Sequence, residues 1–194
     1  MNKQKRADVY VGLVHWPVLN RSGEKIATTV THFDIHDIAR ACRTFGVKKY
    51  FIINRLQEQL MYVSRVLSHW HSGDGAGINA KRESALSLVE PVETVAEALK
   101  RIGGQQAPMI IATAARTMAA GASISFKEIR ESIENNGETP VLLLFGTGSG
   151  LHQEVISPEM QLLEPIMGAA EDQFRHLSVR SAVSICLDRI LGAW

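Results

Sequence analysis

Val141 to Phe145 is an unbroken apolar run, introduced by Pro140 and followed at once by Gly146-Thr147-Gly148-Ser149-Gly150-Leu151. An apolar run of this length between turn signals reads as a strand buried on both faces. Three alternating glycines then let the backbone turn sharply and approach a neighbour with no Cβ in the way. In open α/β sheets, a strand that ends in such a loop is the usual place for a ligand. The position constrains the fold further. The loop begins at residue 146 of 194, with one long helix still to come, whereas the common dinucleotide loop follows the first strand of its sheet.

With 194 residues and 45% hydrophobic content, the chain can bury one large core. A formal net charge of +1 neither demands nor excludes nucleic acid. Cys42 and Cys186 lie far apart, which predicts free thiols in a reducing compartment. The charged start, Met1-Asn2-Lys3-Gln4-Lys5-Arg6, leads into a short strand instead of a signal-peptide apolar region. No apolar run approaches the roughly 20 residues of a membrane span. A soluble, cytoplasmic protein without a membrane partner is expected.

Strand and helix patterns alternate along the chain. Strands are predicted over Asp8 to Val14, Lys49 to Ile53, Leu86 to Val89, Met109 to Thr113 and the apolar run before Gly146. Helices are predicted over Asp34 to Phe45, Gln57 to Trp70, Glu93 to Ile102, Phe126 to Asn135 and about Ser178 to Leu191. Gly46 suits the end of the first helix. Residues 15–31 read as a long loop, and His71 to Asn79 as a mobile glycine-rich one. Such alternation predicts one α/β domain over residues 1–194, with a mostly parallel sheet and helices on both faces.

The glycine loop fits neither of two familiar templates. A phosphate-binding P-loop continues with Lys and then Ser or Thr, but Leu151 and His152 follow here. A dinucleotide fingerprint needs an acidic residue about 20 positions on, at the end of a second strand. Glu164 and Glu171 lie near that distance, but too little chain remains for the rest of that fold. A ligand loop of another kind is favoured over a plain turn. His32 and His36 are one helical turn apart, but no third ligand stands at a metal-site spacing, so no metal is assigned. Arg40 follows Ile38 and Ala39, close to the apolar face of its helix, where partial burial would aim it at an anion. Cys42 and Cys186 read as core thiols without an activating base.

Three separated segments together resemble the SPOUT superfamily of RNA methyltransferases, whose α/β fold carries a trefoil knot. Asp34 to Val47 resembles the first motif of the ribose-methylating branch, with Arg40 at the catalytic arginine and Asp34 where that branch has Asn. Leu144-Phe145-Gly146-Thr147-Gly148 is similar to the family's glycine loop, with Gly148 in place of Glu. The stretch from Leu163-Glu164-Pro165-Ile166-Met167-Gly168 to His176-Leu177-Ser178-Val179-Arg180-Ser181-Ala182 resembles the Pro-Met turn and the helix start of the knot, with Ser178 in place of Asn. More closely, His15-Trp16-Pro17-Val18 and the run from Thr31 to Arg40 resemble a small bacterial family of S-adenosylmethionine-dependent RNA methyltransferases that is sometimes fused to tRNA guanine-N1 methyltransferase.

The resemblance implies a mostly parallel sheet with a C-terminal trefoil knot, against the general rule that chains are unknotted. It implies S-adenosyl-L-methionine as cofactor, held by three loops. Thr113 and Ala114 belong to the first of these. The second comprises Leu144, Phe145, Gly146, Thr147 and Gly148, and the third Leu163, Pro165, Ile166, His176, Leu177, Ser178 and Ser181. Arg40 would orient RNA phosphate or stabilise charge on the acceptor, and Asp34 or Asp37 would accept its proton. RNA, of tRNA or rRNA type, is the implied substrate, with no DNA. A homodimer is implied too, and Val183, Cys186, Leu187, Ile190, Leu191 and Trp194 suggest that the last helix packs in it. Because the Asn and Glu of the ribose-methylating branch are absent, the methylated atom stays open. An RNA-binding protein that keeps the fold without activity stays open too, as does a nucleotide-dependent enzyme of another kind.

Overall fold

The computed structural model describes residues 6–115, 122–172 and 174–193. Trp194 lies outside them. Seven strands form one parallel sheet, and their order in space departs from their order in sequence. Along the chain they are β1 (Val9–Val14), β4 (Lys49–Ile53), β5 (Val89–Val92), β6 (Met109–Ala112), β7 (Ala122–Ile124), β8 (Val141–Gly146) and β9 (Gln161–Leu163). Across the sheet they run β5-β4-β1-β8-β6-β9-β7. β8 sits in the middle, pairing Val141 to Gly146 with Val9 to Val14 of β1 and Val141 to Leu144 with Met109 to Ala112 of β6. β9 enters between β6 and β7, so the chain returns from β8 into the space flanked by two earlier strands. That insertion is consistent with the expected C-terminal knot.

Both faces of the sheet are covered, which explains why the strands read as continuous apolar runs. Successive side chains alternate between two cores. Val11, Leu13, Ile52, Leu143 and Phe145 face a large core completed by α1 (His32–Phe45), α2 (Gln57–His71), α3 (Ala80–Leu86), α5 (Phe126–Asn135) and α6 (Val179–Leu191). Val14, Phe51, Ile53, Leu142 and Leu144 face a smaller one, closed by α4 (Val95–Ile102) and the irregular segment from Leu151 to Met160. Each fully buried Leu or Phe contributes about 1.5–3 kcal/mol to holding this sandwich.

Local chemistry sets the helix that matters most for function. Thr31 caps α1 by accepting from the Asp34 amide, while Asp34 accepts from the Thr31 amide. Gly46 ends it at φ 75°, a left-handed position that glycine takes without a Cβ penalty. At the other end of the chain, Arg130 of α5 donates to the carbonyls of Gly192 at 2.6 Å and Arg189 at 3.3 Å, satisfying the exposed C-terminal end of α6.

Several elements differ from expectation. Residues 15–31 are not a plain loop: β2 (Val18–Leu19) and β3 (Lys25–Ile26) form a small hairpin, and Val18 bridges Leu151 beyond the glycine loop. Residues 80–86 are helix α3, so the strand expected from Leu86 begins instead at Val89. β7 and β9 are three residues each, too short to show an alternating pattern. The apolar width of α6 is also accounted for within one chain. Val183, Cys186, Leu187 and Ile190 are buried in the core, with α6 packed against α1 and α5. They do not form a free face. Among the described residues, no helix is long and apolar enough to cross a membrane.

Candidate functional site

All seven strands point the same way, so the loops after β1, β6, β8 and β9 gather at one edge of the sheet. Thr113, just past β6, donates its hydroxyl to the Leu144 carbonyl at 3.0 Å and its amide to the same oxygen at 2.9 Å. This fixes the start of the first loop against the last turn of β8. Ala114 follows, and residues 116–121 of that loop lie outside the described set. After β9, Glu164 donates its amide to the Ile124 carbonyl, and its carboxylate accepts from the Phe126 amide at 2.7 Å. Pro165 and Ile166 follow, half-buried, and Leu163 is buried behind them. The amides of Ile166, Met167 and Gly168 make no hydrogen bond to another described residue. Met167 and Gly168 are exposed, so their amides face solvent. The segment ends at Ser178, which caps α6 by accepting from the Ser181 amide, with His176 and Leu177 exposed just before it.

The glycine loop itself is built around a buried hydrogen-bond chain. Thr147 donates its hydroxyl to the Val14 carbonyl at 3.0 Å. Its single proton is then spent, so the Thr28 hydroxyl, 2.5 Å away, must donate to Thr147. Thr28 in turn can only accept from His15 Nδ1 at 2.8 Å. The chain therefore assigns the proton of neutral His15 to Nδ1 and leaves its Nε2 as an acceptor, buried without a partner among the described residues. Burial, only partly opposed by the charge of Asp34, pulls the His15 pKa down to about 4. The His15-Trp16-Pro17-Val18 motif is thereby tied to the glycine loop.

Two of the three glycines are required by the protein's own backbone. A Cβ on Gly146 would stand 2.7 Å from the Leu151 amide nitrogen. On Gly148, at φ 59°, it would stand 2.6 Å from the Leu19 carbonyl oxygen. The close approach expected of a ligand is made at these two positions by the protein's own backbone.

On α1, the three candidate catalytic residues separate. Asp34 is 6% exposed and its Oδ2 accepts from the Thr31 amide at 3.0 Å and hydroxyl at 2.6 Å. Its carboxylate is committed to the helix cap. Asp37 is half-exposed and takes Arg40 Nη2 on one oxygen at 2.5 Å and Arg180 Nη1 on the other at 3.0 Å. Burial works to raise the Asp37 pKa, but the bonds and charges of the two arginines outweigh it and hold the carboxyl below the usual range. Arg40 was expected to be partly buried, yet its side chain is 61% exposed. It leans over the helix surface toward Asp37 instead of into the core. Within one chain, no hydrogen bond or ion pair joins Arg40 directly to the glycine loop among the described residues.

Arg180 is the residue that sequence reasoning passed over. It lies two positions past Ser178, so it follows the third candidate loop directly and reaches back to α1. It also lies over the exposed Phe33 ring at 5.1 Å. Its position within the knot-like motif was the available signal. Cys42 and Cys186 are buried free thiols, and burial pushes Cys186 up to about 12 and Cys42 higher still. Neither is reactive. The His32 and His36 rings lie 4.2 Å apart between centroids, tilted by 49°, and no group of three or more metal-ligating side chains converges among the described residues.

Residues 8–192 match a family model described as SAM-dependent RNA methyltransferase. The chain belongs to this family. Its cofactor is therefore that of an S-adenosylmethionine-dependent methyltransferase. A tRNA (guanine-N(1)-)-methyltransferase of Oleidesulfovibrio alaskensis is 40% identical over 187 residues, covering 95% of this chain but 42% of the relative. The chain thus spans less than half of that protein. A protein of Aquifex aeolicus is 32% identical over 187 residues, covering 95% of this chain and 89% of that one. The fold is similar to that of TrmJ from Z. mobilis ZM4, with a TM-score of 0.60 and 14% identity over 97% of this chain and 69% of that one. The family's mostly parallel SPOUT architecture is the one described above.

Proposed function

We propose that this chain transfers a methyl group from S-adenosylmethionine to an RNA, with Arg40 at the acceptor. The observation that carries the reading is the link from the third loop through Arg180 and Asp37 to Arg40, in a chain that matches the RNA methyltransferase family from residue 8 to 192. S-adenosylmethionine supplies an electrophilic methyl group on a sulfonium. Thr113, Ala114, Leu144, Phe145, Gly146, Thr147 and Gly148 would hold it on one side. Leu163, Pro165, Ile166, His176, Leu177, Ser178 and Ser181 would hold it on the other, the unpaired amides of the latter loop serving the nucleoside.

The exposed Arg40 guanidinium suits an RNA phosphate or a developing negative charge. Asp37 is the positioning residue for Arg40. A carboxyl held low by two arginines is a weak base, so orientation is a better use of it than proton transfer. Asp34 keeps α1 capped. The substrate is a tRNA in this reading, by the likeness to a named tRNA methyltransferase. A homodimer completes the site. Support comes from the separation of Arg40 from the glycine loop, and from Phe33, Phe174 and Leu177, which are 63%, 63% and 46% exposed in the single chain.

Calorimetric titration tests the cofactor, with S-adenosylhomocysteine expected to bind and NAD and ATP not. Incubating bulk tRNA from a deletion strain with methyl-labelled S-adenosylmethionine tests the transfer. A second reading, an RNA-binding protein that keeps the fold without activity, is favoured by Gly148 where the ribose-methylating branch has Glu. It predicts cofactor or RNA binding with no label incorporated. Tight NAD or ATP binding without S-adenosylhomocysteine binding would overturn both.

A further inference from the structure

Beside Arg40, helices α1, α2 and α3 bring together a cluster that the methyl-transfer chemistry does not use. Arg82 of α3 lies over the Trp70 ring of α2 at 4.5 Å from its centroid. Trp70 meets His36 of α1 edge-on at 6.0 Å and His69 at 5.2 Å, and the His36 ring lies 4.2 Å from that of His32, tilted against it. His36 Nε2 is buried without a hydrogen-bond partner among the described residues.

The charges around this imidazole are unbalanced. Arg82, Arg40 and, when protonated, His32 oppose a charge on His36, and Asp37 is the one opposing carboxylate among the described residues, already shared between Arg40 and Arg180. Burial first, and these cations after it, pull the His36 pKa down to about 4. Arg40, Arg101, Arg130 and Arg180 each pair with a carboxylate, while Arg82 has none among the described residues. A solvated surface arginine needs no explanation. This one is held on an aromatic ring and acts on the same buried His36 as Arg40 does. Fixing like charges together is unfavourable until an anion joins them. An arginine so held presents its fork to a phosphate with little further ordering cost.

We propose that Arg82, seated on Trp70 at the His36 end of the cluster, contacts an RNA phosphate, so that the RNA backbone crosses the seam of α1, α2 and α3. The proposal rests on the reading that RNA is the substrate. It adds a contact on α3, remote in sequence from every residue assigned to cofactor or catalysis, and gives the RNA a direction of approach to Arg40.

The test is anisotropy titration of labelled unfractionated tRNA against the full chain between about 50 and 200 mM salt. Each phosphate contact contributes about 0.7–0.9 to the slope of log affinity against log salt. Arg82→Gln should weaken binding several-fold and lower the slope by about one such contact. Arg82→Lys should restore most of the slope. Lys127→Gln, a charge loss at a side chain of α5 that is 83% exposed, should leave both unchanged. S-adenosylhomocysteine affinity should be the same in all variants.

An independent readout needs no variant. Adding tRNA should raise the His36 pKa measured by NMR, because a phosphate offsets the cations around it, and inorganic phosphate at equal concentration should do so much less. A wild-type slope in Arg82→Gln, an equal loss in Lys127→Gln, or an unmoved His36 would overturn the proposal while leaving the methyltransferase reading intact. A wild-type chain that binds S-adenosylhomocysteine but no tRNA would overturn the tRNA reading, and this contact with it.

Discussion

Arg180 donates from Nη1 to Asp37 Oδ2 at 3.0 Å, across 143 positions of sequence. Because Arg40 occupies the other Asp37 oxygen, one carboxylate holds two guanidiniums that come from opposite ends of the chain. The bond fixes the start of α6, and so the end of the third loop, to the helix that carries Arg40. All three side chains are a third or more exposed, so the triad contributes little to stability. Its value lies in where it points Arg40.

Asp37→Asn tests that directly. The amide keeps the shape but loses the charge that two arginines share. Turnover should fall on the order of 10²-fold, the scale of a misplaced reacting group. The KM for RNA should change less than kcat, and the thermal midpoint should hardly move. A fall in midpoint with matching loss of S-adenosylhomocysteine binding would make Asp37 a structural residue instead.

Much of the fold was legible because burial on both faces leaves a plain mark. Val141 to Phe145 and Lys49 to Ile53 lie in the sheet as their apolar runs predict. Gly46 ends α1 as expected. What stayed hidden was short or nonlocal. The β2–β3 hairpin has two residues per strand, and β7 and β9 three each, too few for a period to show. The candidate site divides in the same way. Position in a motif pointed to Arg40 and the glycine loop, but partners set the roles. Asp34 reads as a proton acceptor until Thr31 is seen to hold it, and Arg180 gains a role only once Asp37 is found across the seam.

The glycine loop yields a stability prediction. At Gly148, an added Cβ would meet the Leu19 carbonyl at 2.6 Å with φ already at 59°. Gly23 has a similar φ of 78° but open space around it. Gly148→Ala should cost about 1–3 kcal/mol and weaken S-adenosylhomocysteine binding as the loop shifts. Gly23→Ala should cost about 1 kcal/mol and leave binding alone. Urea unfolding and calorimetry on both variants check this, and equal costs would mean that backbone angle alone, not the contact with Leu19, governs the loop.

His15 sets a pH window. Its folded pKa is lowered to about 4, against 6.5 for an unperturbed histidine. Between these values the unfolded chain takes a proton that the folded chain refuses. The stability from neutral His15 is therefore fully present above pH 6.5 and is lost as pH falls toward 4. The upper limit is about 3 kcal/mol. His36, lowered to about 4 as well, adds in the same direction. Asp37 acts at lower pH, since a depressed carboxyl loses its contribution only as pH falls through its own folded value. In urea unfolding at pH 7.5 and pH 5, the wild type should lose more stability than His15→Gln. Parallel losses would show that His15 does not titrate across this window.

Arg40 itself carries the sharpest catalytic prediction. Its side chain is 61% exposed and its one carboxylate partner is Asp37, so nothing in the core depends on it. Arg40→Ala should lower turnover by about 10²–10³-fold, the loss typical of one electrostatic stabiliser. S-adenosylhomocysteine affinity should hardly change, because Arg40 bonds none of the candidate cofactor residues of its own chain among the described residues. Arg43→Ala serves as the comparison. It sits one turn further along α1 and donates to Ser84 at 2.8 Å, so its loss should touch packing against α3 more than chemistry. If dimer formation brings Arg40 to the partner's cofactor loops, mixing Arg40→Ala chains with chains disabled at Gly148 should restore activity in the mixed dimer. One of its two sites would then have both an intact arginine and an intact loop. No recovery in a mixture shown by light scattering and mass spectrometry to contain mixed dimers would place Arg40 with its own chain's loops, and remove the shared site from the mechanism.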